Sequence, residues 1–120
     1  GGFLIIQQTE AFVAIDVNTG KHSSKKDAEE NYKLINREAA LEIARQLRLR
    51  NLSGMILVDF INMKNTNDQS ELLQYMGSLV RSDPMQTVVV DVTALGIMEI
   101  TRKKSAKTLA EQLLQLKKGE

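Results

Sequence analysis

A chain of 120 residues with 42% hydrophobic and 26% charged side chains suits one globular domain with a modest core. Its formal net charge of +1 excludes a uniformly basic nucleic-acid binder, so any phosphate-binding surface has to come from local clustering. The absence of cysteine excludes disulfides and thiolate metal sites within these residues, and no apolar run reaches the length of a membrane span.

Gly1 and Gly2 lead straight into a strand-like run, as at the edge of a domain excised from a larger chain or after a tag scar. Phe3 to Gln8 and Ala11 to Val17 are predicted as two strands joined near Thr9 and Glu10. In the second, Phe12, Ala14, Asp16 and Asn18 share one face, and Val13, Ile15 and Val17 the other. Asn18-Thr19-Gly20 breaks that strand, and Lys21 to Lys26 is a polar loop. A long helix is expected over Asp27 to Arg50, where Tyr32, Ile35, Ala39, Ile43 and Leu47 recur at helical spacing, until Ser53-Gly54 stops it. Met55 to Ile61 suits a buried strand with one charge, Asp59. A second helix follows from about Asp68 to Arg81, ending before Pro84. Thr87 to Val92 and Ile97 to Thr101 are strands about a turn at Gly96, and Ser105 to Lys118 is a final amphipathic helix. The order ββαβαββα predicts an α/β fold: one mixed sheet with helices packed on it.

Two aspartates stand out. Asp16 occupies a strand face shared with Phe12 and Ala14, and a carboxylate buried there needs a hydrogen-bond partner, a cation or a metal. With Asn18 projecting the same way, the pair either caps the turn at Gly20 or shares a binding task. Asp59 interrupts an apolar run, where backbone amides or a metal could satisfy it. Together the two favour a Mg²⁺ ion, which takes few carboxylates and keeps several waters. Sharing one ion at Mg–O distances of about 2.1 Å requires that the strands bring these carboxylates within about 10 Å of each other. His22 is the only histidine and falls in the polar loop, so a histidine-rich zinc site or a Ser-His-Asp triad would have to be built around a loop residue. Basic residues gather at Arg37, Arg45, Arg48 and Arg50, where a solvated face paired with Glu38 and Glu42 is expected, and at Arg102, Lys103 and Lys104, where phosphate contact is an equal alternative. Lys21 is a further candidate phosphate contact.

Several stretches resemble one family at once. Thr9-Glu10-Ala11 with Ile15-Asp16-Val17-Asn18-Thr19-Gly20 resembles the first catalytic motif of the ribonuclease E/G family. Asn36 through Glu38-Ala39-Ala40 and Glu42 through Arg50 are similar to its long helix, Leu57 through Met63 to its second catalytic motif, and Leu95 through Lys104 to its closing strand. The resemblance covers roughly residues 1 to 104. It implies the deoxyribonuclease-I-like catalytic subdomain of an endoribonuclease that cleaves single-stranded RNA, often in A/U-rich stretches, leaving a 5′-phosphate and a 3′-hydroxyl. Asp16 and Asp59 would then bind Mg²⁺ (Mn²⁺ as a substitute) for metal-assisted hydrolysis, and Asn18 would orient one of them. The implied partners are RNA and the S1-type and RNase-H-like domains of a parent chain; with no apolar run of membrane-span length, the cytoplasm is the expected location. A homo-oligomer is left open. Many family members carry a Cys-Pro-x-Cys zinc link after the last conserved strand; here that region ends Leu113-Leu114-Gln115-Leu116-Lys117-Lys118, with no zinc ligand set. Asp83-Pro84-Met85-Gln86 replaces a stretch that is more basic in many relatives. Two rival readings remain: a non-catalytic RNA-binding module of the same fold, and an interaction domain using Leu109, Leu113 and Leu116.

Overall fold

The computed structural model describes residues 2–20 and 25–104. The predicted final helix, with Leu109, Leu113 and Leu116, lies outside the described residues, as do Lys21 and His22.

Two strands open the fold, β1 (Gly2–Gln8) and β2 (Val13–Thr19), paired antiparallel. The Thr9 hydroxyl holds the corner between them, donating to the Phe12 carbonyl at 2.7 Å and accepting from the Phe12 N–H at 2.9 Å. Helix α1 (Lys25–Leu49) then carries the chain back so that β3 (Gly54–Asp59) pairs parallel to β2. A parallel pair needs such a crossover, and a helix with one apolar stripe supplies it. Asn51 ends α1 with φ 49°. The Leu52 N–H reaches the Leu47 carbonyl at 3.0 Å and the Asn51 N–H the Arg48 carbonyl at 3.2 Å, a left-handed cap that closes the helix two residues before the expected Ser53-Gly54.

Helix α2 (Thr66–Arg81) starts two residues earlier than expected, because the Asn65 side chain accepts from the N–H groups of Asn67 and Asp68 and caps it. Strands β4 (Thr87–Val92) and β5 (Met98–Arg102) form an antiparallel pair, and β5 inserts beside β3. The sheet order is β1-β2-β3-β5-β4, a single mixed sheet of the predicted class.

Both helices cover one face. Val13, Ile15 and Val17 of β2, Ile56 and Val58 of β3, and Ile100 of β5 meet Ile43 and Leu47 of α1 and Met76 of α2 in one core. The other face is open, and residues opposite one another in register share it: Phe3 with Asn18, Ile5 with Asp16, Leu57 with Glu99, Met55 with Thr101. Phe3, Ile5 and Met55 are exposed there. Among the described residues no helix is long and apolar enough to cross a membrane.

Candidate metal centre

The register of β2 on β3 sets Asp16 directly beside Asp59. Neighbouring strands lie about 4.8 Å apart, so two residues in register on one face present their carboxylates side by side. The meeting point is the C-terminal end of the parallel pair, where ligands gather in α/β sheets. Asp59 ends β3, whereas β2 runs on past Asp16 to Thr19.

The environment differs from the expected buried one. Asp16 and Asp59 are both exposed, because the face they share with Ala14 and Leu57 is the one no helix covers. The carboxylate of Asp16 therefore carries no burial debt of the kind its apolar neighbours in sequence suggested. Two anions this close still repel. Partial burial pushes the Asp59 carboxyl above its ordinary range, and the Asp16 charge adds to the shift. Among the described residues neither carboxylate forms an ion pair with lysine or arginine. Asn18, one pleat further along β2, turns its Nδ2 back to Asp16 Oδ2 at 3.3 Å.

This donor set fits a small hard cation. Mg²⁺ is commonly held by one or two carboxylates with waters filling an octahedral shell, and a divalent ion relieves the repulsion that the pair otherwise bears. Among the described residues no group of three or more His, Cys, Asp and Glu side chains gathers closely enough to share an ion, so Glu99, on the same face, stands apart from the pair.

Asn36 is the site-building residue that helical spacing did not single out. It is fully buried, its Nδ2 donates to the Ile61 carbonyl at 2.8 Å, and its Oδ1 accepts from the Ile61 N–H at 2.9 Å. One side chain of α1 thus takes both backbone bonds of a residue two beyond Asp59. This replaces the strand ladder and explains why β3 stops at Asp59 rather than at the expected Ile61. The available signal was an amide on the inward stripe of the helix, one turn before Ala40 and one turn after Tyr32. Asn36→Ala leaves both Ile61 groups unpaired and is expected to cost roughly 1–3 kcal/mol. Urea unfolding measures the loss, and amide shifts at Asp59 to Ile61 show whether the loop moves with it.

The basic cluster divides. Arg102 is 4% exposed and does not face solvent. Its Nε donates to Asp83 Oδ2 at 2.8 Å, and its Nη1 to Asn51 Oδ1 at 2.9 Å and the Leu52 carbonyl at 3.1 Å. A guanidinium so engaged has no free edge for phosphate, which corrects the RNA-contact alternative at this position. Alternation along β5 turns its side chain to the core face. Lys103 and Lys104 are exposed, and Lys21 lies outside the described residues. On α1 the expected solvated pairing holds for Arg45 with Glu42 at 3.1 Å, and Arg37 instead stacks on Tyr75, 4.0 Å from the ring centroid.

The model of the Ribonuclease E/G family matches residues 1–105. The chain belongs to the ribonuclease E/G family. It is similar to a Ribonuclease E of Nostoc sp., with 43% identity over 111 residues that cover 92% of this chain and 16% of that protein. It is also similar to a Ribonuclease G of Haemophilus influenzae at 42% and of Escherichia coli K12 at 40%, each over 113 residues covering 94% of this chain and 23% of the relative. The chain thus spans between 16% and 23% of the length of these relatives. The family match takes in every described element, with Asp16, Asn18 and Asp59 inside it.

Proposed function

We propose that this chain is the metal-binding, deoxyribonuclease-I-like catalytic subdomain of a cytoplasmic ribonuclease E/G-type endoribonuclease that cuts single-stranded RNA. The observation that carries the proposal is the in-register pairing of Asp16 with Asp59 on an uncovered sheet face. Membership of a ribonuclease family supports it.

In this mechanism Asp16 and Asp59 hold Mg²⁺, and Mn²⁺ can substitute. Asn18 fixes the orientation of the Asp16 carboxylate through its Nδ2 bond. Bound there, Mg²⁺ would supply Lewis-acid activation of the attacking water and neutralise charge developing on the scissile phosphate. Water adds to phosphorus and the bond to O3′ breaks, so the products carry a 5′-phosphate and a 3′-hydroxyl. Lys103 and Lys104, exposed beyond β5, and Lys21 are proposed phosphate contacts. S1-type and RNase-H-like domains of a parent chain would grip the RNA, so the isolated chain is expected to cleave weakly or not at all. A homo-oligomer of the parent remains part of the proposal. The burial of Arg102 removes one cation from the rival RNA-binding module and leaves it with less support than the paired carboxylates give the enzyme.

Titration with Mn²⁺ tests the site in the chain itself. Two carboxylates are a sparse ligand set, so weak affinity is expected, with paramagnetic broadening concentrated on the amides of Asp16 and Asp59. Broadening elsewhere with none at these residues would overturn the metal site.

A further inference from the structure

Asp59 borders two concavities. One, shared with Asp16, lies on the open sheet face. The other, of about 580 Å³, opens between the loop after β3 and the turn joining β4 to β5, and Asp16 takes no part in it. Its walls come from Leu72 of α2 and Met98 of β5, with Asn62 and Thr93 adding polar groups at the rim. Leu95 stands at the tip of the turn, 91% exposed, with its apolar surface unused.

The turn is built to hold that leucine out. The Thr93 N–H donates to the Ile97 carbonyl at 2.8 Å, the Gly96 N–H to the Thr93 carbonyl at 2.9 Å, and the Ile97 N–H to Thr93 Oγ1 at 3.1 Å. Gly96 takes φ +88°, which closes the turn without strain only for glycine. The backbone of Leu95 is thus held in a hydrogen-bonded turn beside the hollow.

We propose that this hollow seats one base of an RNA strand whose phosphate lies at the Asp16–Asp59 pair, with Leu95 covering the face of the base and Asn62 meeting its edge. The assignment rests on the endoribonuclease reading and adds a subsite to it. Asp59 is the one charged residue lining the hollow among the described residues, so the lining disfavours phosphate and suits a neutral ligand. The volume falls within the range of about 300–1,000 Å³ typical of small-ligand sites, too small for a folded partner. Bases of single-stranded RNA are unstacked and seek apolar faces with polar groups at their edges. Because Asp59 is common to the hollow and to the carboxylate pair, a base seated there belongs to a nucleotide adjoining the phosphate at the pair.

Adenosine, uridine and ribose 5-phosphate, titrated separately into the chain at millimolar concentration, test the subsite by methyl and side-chain amide NMR shifts. The nucleosides are expected to move the methyl signals of Leu95 and Met98 and the Asn62 side-chain amide, and ribose 5-phosphate is not. Leu95→Ala, at a position 91% exposed, should weaken nucleoside binding at least about fivefold, and Leu95→Phe should tighten it, since an aromatic ring stacks better than an aliphatic chain. Unmoved Leu95 and Met98 signals, equal shifts from ribose 5-phosphate, or no gain in Leu95→Phe would each overturn the subsite. Mn²⁺ broadening at Asp16 and Asp59 without nucleoside reads the metal centre separately. Intact broadening with no base response removes the subsite alone, whereas lost broadening removes the catalytic reading on which it stands.

Discussion

Asp16→Asn and Asp59→Asn are each expected to abolish RNA cleavage by the longer ribonuclease E/G-type protein proposed to carry this chain, by roughly a thousandfold or more, while RNA affinity stays nearly unchanged. Each substitution keeps the side-chain volume and removes one of the two charges that would hold the ion, so the loss falls on the chemical step. Stability makes the comparison clean. The two carboxylates repel across the β2–β3 pair, and Asp59 is already held above its ordinary range by burial and by Asp16. Neutralising either one relieves that repulsion, so neither variant should unfold more easily than the parent. Asn18→Ala should be milder, about 10- to 100-fold, because it removes a 3.3 Å bond to the proposed ligand Asp16 rather than that carboxylate itself. A cleavage time course on single-stranded A/U-rich RNA beside a binding titration separates the two effects. Full activity in Asp59→Asn would sink the metal mechanism and leave the RNA-binding module.

Most of the fold was legible because periodicity reports burial directly. The alternation of Val13, Ile15 and Val17 against Ala14 and Asp16 separated two faces without saying which one meets the core, and the structure buries the first three. Periodicity does not say whether the second face is covered, and that is where the expectation for Asp16 went astray. Its neighbours Phe12 and Ala14 suggested an apolar, buried surface, but both helices pack on the opposite side. Asp59 misled in the same way: an almost continuous apolar run suggests a strand buried on both faces, yet Met55 of that run is 43% exposed. What spacing could not supply at all was the register. The parallel alignment of Asp16 with Asp59 joins two strands separated by the whole of α1, so neither strand's own pattern carries it. Asn36 was hidden for a related reason. An inward-facing asparagine reads as a flaw in a helical stripe until its partner, Ile61 across 25 residues of sequence, is in view.

Arg102 is where local sequence left two readings level, and its removal should have the largest effect on stability. Arg102-Lys103-Lys104 reads as a basic patch, but the first member ties the end of β5 to the segment after α2 and to the cap of α1. The side chains of Arg102 and Asp83 are each 3% exposed. Burial pushes the Asp83 carboxyl up, but its bonds from Arg102, the Met85 N–H and the Thr87 hydroxyl outweigh that and hold it below the ordinary range. Arg102→Ala leaves Asp83 as a buried, unpaired charge and strands the buried Leu52 carbonyl, which is expected to cost about 3–5 kcal/mol. For a domain of this size the melting temperature should fall by more than about 10 °C. The sign with pH follows from the depressed carboxyl. In the parent its contribution is complete above the unfolded-state value of about 3.9 and is lost as pH falls through the lower folded value. Arg102→Ala should therefore melt far lower at neutral pH, and the gap to the parent should narrow in acid below about pH 4. Thermal melts of both proteins across that range measure it. A loss below about 1 kcal/mol at neutral pH, with no narrowing in acid, would show that the pair is solvent-screened and would return Arg102 to the candidates for phosphate contact.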